Sequence, residues 1–279
     1  MSDPSPNESL DVKVSNWLSE QGYPLEFETA DQLRLAGLQS RLGMYFDASD
    51  GTSREIDVMG YTDPVSSTQD GFTSISAQVV VECKWSRNAP WVILCQEEHR
   101  SLVELLSMAI MSKEAMAGWM LNLCQGKIES RDSGCLQFPS LQNAGYSVVQ
   151  ALRQGNRDVP YNAITKVISA ARAISQRPGV LLKRFEDLTS LPMRAWHFVV
   201  PCIVLNAPLY VASYAATKTG FTLRQVDWGR IHWMSEAPSA VTVVTRNALP
   251  EFAKGLVTAM QAFVETSTRL VGLGEATSG

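Results

Sequence analysis

Neither sign of charge dominates this sequence. It carries 24 Lys and Arg against 28 Asp and Glu in 279 residues, a net charge of −4 at pH 7. That balance excludes a uniformly basic nucleic-acid coat but leaves room for a local basic groove, because an average conceals a distribution. Cysteine is scarce: Cys83, Cys95, Cys124, Cys135 and Cys202 contain no CxxC pair, so neither a zinc knuckle nor a disulfide framework is legible. The opening MSDPSPNES lacks a basic segment followed by an apolar stretch, so no signal peptide is expected. The longest uncharged run, Ala195 to Thr217, is broken by His197, Pro201, Asn206 and Pro208. It is expected to form two buried strands with a turn, not a bilayer helix. With no export signal and no cysteine framework, the expected setting is the cytoplasm. A GxxxxGK[ST] loop, a GxGxxG turn after a strand, HExxH and GxSxG are all missing. Any ATP-driven step would therefore belong to a separate chain.

What is present is an ordinary globular composition, 45% apolar and 19% charged, which excludes disordered, collagenous and coiled-coil classes. The pattern reads as α/β. Residues 1–10 and 273–279 read as flexible tails, and 11–272 as a single domain with a helical insertion at about 97–190. Val14, Trp17 and Leu18 recur at helical spacing. After Pro24, LEFETADQLRLAGL places Glu26, Thr29, Ala30 and Leu33 on one helix face. Strand patterns follow: GMYFDA, then REIDVMGY, in which Glu55, Asp57 and Met59 oppose Ile56 and Val58. TDPVSSTQDG reads as a loop. In AQVVVECKW, Val79, Val81, Cys83 and Trp85 share one face, and Val80, Glu82 and Lys84 the other. Gln96 to Cys124 reads as one long helix with a Leu102, Leu105, Leu106, Ala109 and Ile110 stripe. A loop containing Gly145 leads to a second helix, roughly Tyr161 to Ser175. HFVVPCIVLN, PLYVASY, RIHWM and AVTVVTR read as strands, and Pro250 to about Leu270 as the last helix.

The charge pattern is asymmetric. The N-terminal quarter is acidic, whereas Arg153, Arg157, Lys166, Arg172, Arg177, Lys183, Arg184 and Arg194 face only Asp158, Glu186 and Asp187. A metal site with a separate phosphate-binding surface gives this pattern, and so does an ordinary solvated helix face.

Chemistry concentrates at Glu26, Asp57, Glu82 and Lys84. Glu82 and Lys84 are two apart in a strand and so lie side by side on one face. If the strand of Asp57 is its neighbour, Asp57 and Glu82 converge. Two carboxylates at one point repel unless a cation lies between them. Hard oxygen donors without thiolate or imidazole select Mg²⁺ or Mn²⁺. Such an ion activates water and binds a phosphate oxygen, and Lys84 beside it stabilises developing charge. Glu26 adds a ligand directly or through water. These parts suit phosphodiester hydrolysis. Glu28 and Glu55 rival Glu26 by position. Trp85 and Trp91 are candidates for base stacking or core, and Arg87 for a phosphate contact. His99, His197 and His232 form no cluster.

GYPLE at Gly22 to Glu26, REIDV at Arg54 to Val58, VVECKWS at Val80 to Ser86 and APWVIL at Ala89 to Leu94 resemble the motifs of the PD-(D/E)XK nuclease superfamily. The resemblance spans residues 10 to 95, with Ile-Asp in place of Pro-Asp. It implies a restriction-endonuclease-like central mixed sheet flanked by helices. Asp57 and Glu82 would hold Mg²⁺ or Mn²⁺ with the Cys83 backbone carbonyl, Lys84 would be the catalytic lysine, and Glu26 the helix acid. The implied activity is hydrolysis of DNA, as an endonuclease; the chemistry serves RNA equally. Double-strand cutting would call for a symmetric homodimer. The competing expectation is a catalytically silent module that binds nucleic acid or a regulatory partner.

Overall fold

The computed structural model describes residues 9–47, 52–67, 72–86, 89–95, 109–125, 144–152, 158–176, 193–214, 220–233 and 239–271. Helices open where a side chain or a proline relieves the unpaired amides of the first turn. Ser9 accepts from the Val12 N–H at the start of α1 (Leu10–Glu20), and Pro24 lies in the first turn of α2 (Tyr23–Leu35). There follow β1 (Gln39–Asp47), β2 (Ser53–Tyr61), β3 (Val65–Ser67), β4 (Phe72–Trp85), β5 (Trp91–Cys95) and β6 (Ile110–Met111). Ser112 caps α3 (Lys113–Cys124) by accepting from Ala115 N–H, and its hydroxyl also donates to the Ala195 carbonyl at 2.6 Å. Next come β7 (Ala144–Gly145), β8 (Ser147–Gln150) and α4 (Val159–Gln176). The chain ends with β9 (Met193–Asn206), β10 (Leu209–Tyr214), β11 (Phe221–Val226), β12 (Trp228–Trp233), β13 (Ser239–Thr245) and α5 (Leu249–Leu270).

Among the described residues the large sheet runs β1-β2-β4-β9-β13-β12-β7, with β3 also on β4 and β6 also on β9. It is mixed: β1, β2 and β4 are antiparallel neighbours, whereas β4 to β9 and β9 to β13 are parallel. β4 and β9 read as near-continuous apolar runs because both faces are covered. Apolar side chains of α2, α3 and α5 cover one face, packing with Val58, Val79, Val81, Phe198 and Val200. The other face, with Val80, Val199, Ile203 and Val243, packs against α4 and a smaller sheet ordered β11-β10-β5-β8. On α5, Phe252, Leu256, Met260 and Phe263 recur at helical spacing and are buried. Phe263 stacks on Trp119 and Phe198, at ring-centroid distances of 5.5 and 4.4 Å.

The mixed α/β class and the flanking helices agree with the sequence expectation. Several finer expectations do not. The described part of the Gln96–Cys124 stretch is a short strand followed by a helix: β6 pairs with β9, and α3 begins only at Lys113. Residues 96–108 lie outside the described residues, as do 1–8 and 273–279 of the expected tails. The 97–190 stretch is not purely helical, since β7 pairs with β12 and β8 with β5. Strands of two to four residues at sheet margins are too short to show a period. β3 interrupts the expected TDPVSSTQDG loop for the same reason. β11 escapes because five of its six residues are exposed, so no alternation marks it. The described part of the 195–217 run forms two strands joined by a turn, as expected. No helix among the described residues is long and apolar enough to cross a membrane.

Gly118 carries a test of the α3 packing. A Cβ there would meet the Trp196 ring at 2.2 Å. On an open helix face Gly→Ala gains up to about 1 kcal/mol of helix propensity. Here the sign reverses, because the buried indole has nowhere to move. Gly118→Ala should destabilise by about 1–3 kcal/mol, measured by urea unfolding.

Candidate active site

Two neighbouring strands supply the acids. β2 and β4 pair with Val58 opposite Val81 and Gly60 opposite Val79. The same register continued by one residue sets Asp57 level with Glu82. The paired ladder stops there, and the Asp57 carboxylate takes over, accepting the Cys83 N–H at 2.7 Å. On its other side the β1–β2 ladder skips the Gly43–Asp57 position, where Gly43 has φ of 60°. Val58 packs with the α2 and α5 side of the core and Ile56 with the α4 side, although alternation predicts one face for both. Asp57 therefore sits at a local break in an otherwise regular strand.

Glu82 is almost fully buried, its side chain 3% exposed, and the neighbouring Lys84 reaches its Oε1 at 2.5 Å. That is the side-by-side acid and amine expected from their spacing. A second amine arrives from α4. Lys166 Nζ lies 2.6 Å from Glu82 Oε2 and 3.4 Å from Asp57 Oδ1. One ammonium thus spans both carboxylates, and the two acids converge as the sequence required. The sequence places Lys166 in a basic stretch that reads either as a separate phosphate-binding surface or as a solvated helix face; in the structure it instead meets the acids. Of that stretch only Lys166, Arg172 and Arg194, with Asp158 opposing them, lie among the described residues.

Glu26 sits in the first turn of α2, half-buried. Its carboxyl is pushed above the ordinary range by burial, then by the charges of Asp57, Glu55 and Glu82, with Lys166 opposing. α2 is fixed over β4 by buried Leu25, Ala30 and Leu33, and by a contact of 3.6 Å between Thr29 Oγ1 and Cys83 Sγ. The rival acids have other partners: Glu28 pairs with Arg246 at 2.7 Å, and Glu55 accepts from the Tyr45 hydroxyl at 3.3 Å. Trp91 is fully buried and is core, so it offers no stacking face; Trp85 is half-buried. Arg87 and His99 lie outside the described residues, and His197 is buried against the Ser76 hydroxyl, 2.8 Å from Nδ1.

Electrostatically the cluster is acid-rich, with Glu26, Asp57 and Glu82 against Lys84 and Lys166. Burial, and next the Asp57 charge, raise the Glu82 carboxyl above its usual value despite both lysines. Burial alone would lower the Lys166 ammonium, but Glu82 and Asp57 outweigh it and hold it above the ordinary lysine value. Lys166 meets the buried Glu82 Oε2 as an ion pair at 2.6 Å. The all-oxygen acid set fits a hard divalent cation. As arranged, the cation between the acids is Lys166. Among the described residues no group of three or more His, Cys, Asp or Glu side chains stands at metal-binding separation.

Comparison with protein-family models, curated proteins and solved structures gives no match.

The raised Glu82 value fixes the sign of a stability test. A carboxyl with a higher pKa folded than unfolded favours the native state when protonated, and that advantage is lost as pH rises through the folded value. At mildly alkaline pH the ionised group, facing Asp57 and Glu26, is a net burden that Lys84 and Lys166 only partly relieve. In EDTA, Glu82→Gln should therefore melt above wild type at that pH. The gain should vanish in acid below the usual carboxylate range. Thermal unfolding at both pH values checks it; a lower melting point at alkaline pH would refute the assignment.

Proposed function

We propose that the chain is a divalent-metal-dependent nuclease of the PD-(D/E)XK type that hydrolyses DNA phosphodiester bonds, as an endonuclease. The observation that carries the reading is the convergence of Asp57, Glu82 and Lys84 from two paired strands, with Glu26 facing them from a helix. The restriction-endonuclease-like fold and a cytoplasmic setting belong to the same reading. The large mixed sheet flanked by helices is consistent with the former.

Asp57 and Glu82 would hold Mg²⁺ or Mn²⁺, with the Cys83 carbonyl and Glu26 as further oxygen donors. When bound, the ion supplies Lewis-acid polarisation of a phosphoryl oxygen and a water acidic enough to attack near neutral pH. The chain's own groups do the rest. The Cys83 N–H fixes the Asp57 carboxylate by a hydrogen bond to Oδ2. The rigid, two-sided burial of β4 fixes Glu82. Lys84, a quarter exposed beside a nearly closed carboxylate, presents its ammonium where charge builds on the phosphoryl oxygens. A single site cuts one strand; a symmetric homodimer would cut two.

A catalytically silent binding module is favoured by one observation, the lysine lodged between the acids. Plasmid nicking separates the two readings. Wild type should nick in Mg²⁺ and not in EDTA. Asp57→Asn and Lys84→Met should lose roughly 10²–10⁴-fold in rate, the scale of one electrostatic or acid–base group. Retention of DNA on a gel without cleavage, in wild type with metal, would establish the silent module. Cleavage at wild-type rate by both variants would move the chemistry elsewhere.

A further inference from the structure

Lys166 has no part in the chemistry just described, yet it occupies the centre of the cluster. Its ammonium is the group that touches both Asp57 and Glu82. The contacts are uneven. The Asp57 contact is long at 3.4 Å, and the Glu82 Oε2 contact is close at 2.6 Å. The side chain is a quarter exposed, whereas Glu82 is closed to solvent, so Lys166 lies on the side from which solutes arrive. It stands on α4, an element separate from those that carry the acids, and its long unbranched stem can swing outward without disturbing β2 or β4.

Resting on the nuclease reading, we propose that Lys166 is a built-in counter-ion that fills the cation position of the acid cluster until a divalent metal displaces it. An ammonium nitrogen sits about 2.7–2.9 Å from a carboxylate oxygen, whereas Mg²⁺ requires about 2.0–2.1 Å. A lysine and a small divalent ion therefore cannot share the gap between Asp57 and Glu82, and each excludes the other by like charge. The device keeps mutually repelling carboxylates together in the empty protein. Its cost is weaker metal affinity, because bound metal must first expel the lysine. Lys166 is on this account a positioning residue.

The test measures Mn²⁺ binding to the full chain without nucleic acid, from the free-ion signal in electron paramagnetic resonance. Lys166→Met keeps the stem and removes the charge, and Lys166→Gln provides a second neutral variant should the first not fold. The folded neutral variant should bind Mn²⁺ at least tenfold more tightly than wild type. It should melt below wild type in EDTA and gain more from added Mn²⁺ than wild type does. Asp57→Asn should abolish binding in either background. Equal or weaker affinity of the neutral variants, with wild type still binding, would overturn the displacement role and leave the nuclease reading standing. No binding by wild type or variants would overturn both.

Discussion

Everything in the candidate site depends on forcing two carboxylates together against their repulsion. The force comes from backbone pairing. The β2–β4 register that sets Val58 against Val81 leaves Asp57 and Glu82 level with one another, and the sheet on either side is too well packed to let them part. β4 is held by continuous parallel pairing with β9 from Phe72 to Trp85, and its apolar residues are buried on both faces. Local order thus opposes local electrostatics. Two lysines from different elements reduce the imbalance without removing it.

The acids and the first lysine were legible in the sequence because a strand has a simple period. Glu82 and Lys84 are two apart, so their neighbourhood follows from pleat geometry alone, and the apolar run before them marks a buried strand. Asp57 could be linked to them because one loop joins its strand to theirs. Lys166 could not be linked. It is 109 residues from Asp57 in the chain, and it stands in a basic stretch where many lysines and arginines look alike. Its only local signal is position: in α4 the buried residues Ala163, Val167 and Ala170 mark the inward face, and Lys166 precedes Val167 at its border. Which acids that border meets is decided by tertiary packing.

The fold shows the same division. The long strands β2, β4, β9 and β13 and the helices α2, α4 and α5 announce themselves by alternation or by a stripe of apolar residues. The marginal strands do not. β7 and β8 complete two different sheets with two and four residues, and what pairs them is the existing edge of a neighbour. Gly43 is a comparable case. Its positive φ lies opposite Asp57, where the β1–β2 ladder lacks one pair.

The long β4–β9 pairing also has a temporal side. Met193 follows Trp85 by about 110 residues, and ribosomes add roughly 5–20 residues per second. For some 5–20 s of each synthesis, the strand bearing Glu82 and Lys84 has been made while the strand that closes its edge has not. An uncovered apolar edge invites association with other nascent chains. The pairing that clamps the acids in the finished molecule is thus among the last to become available during synthesis.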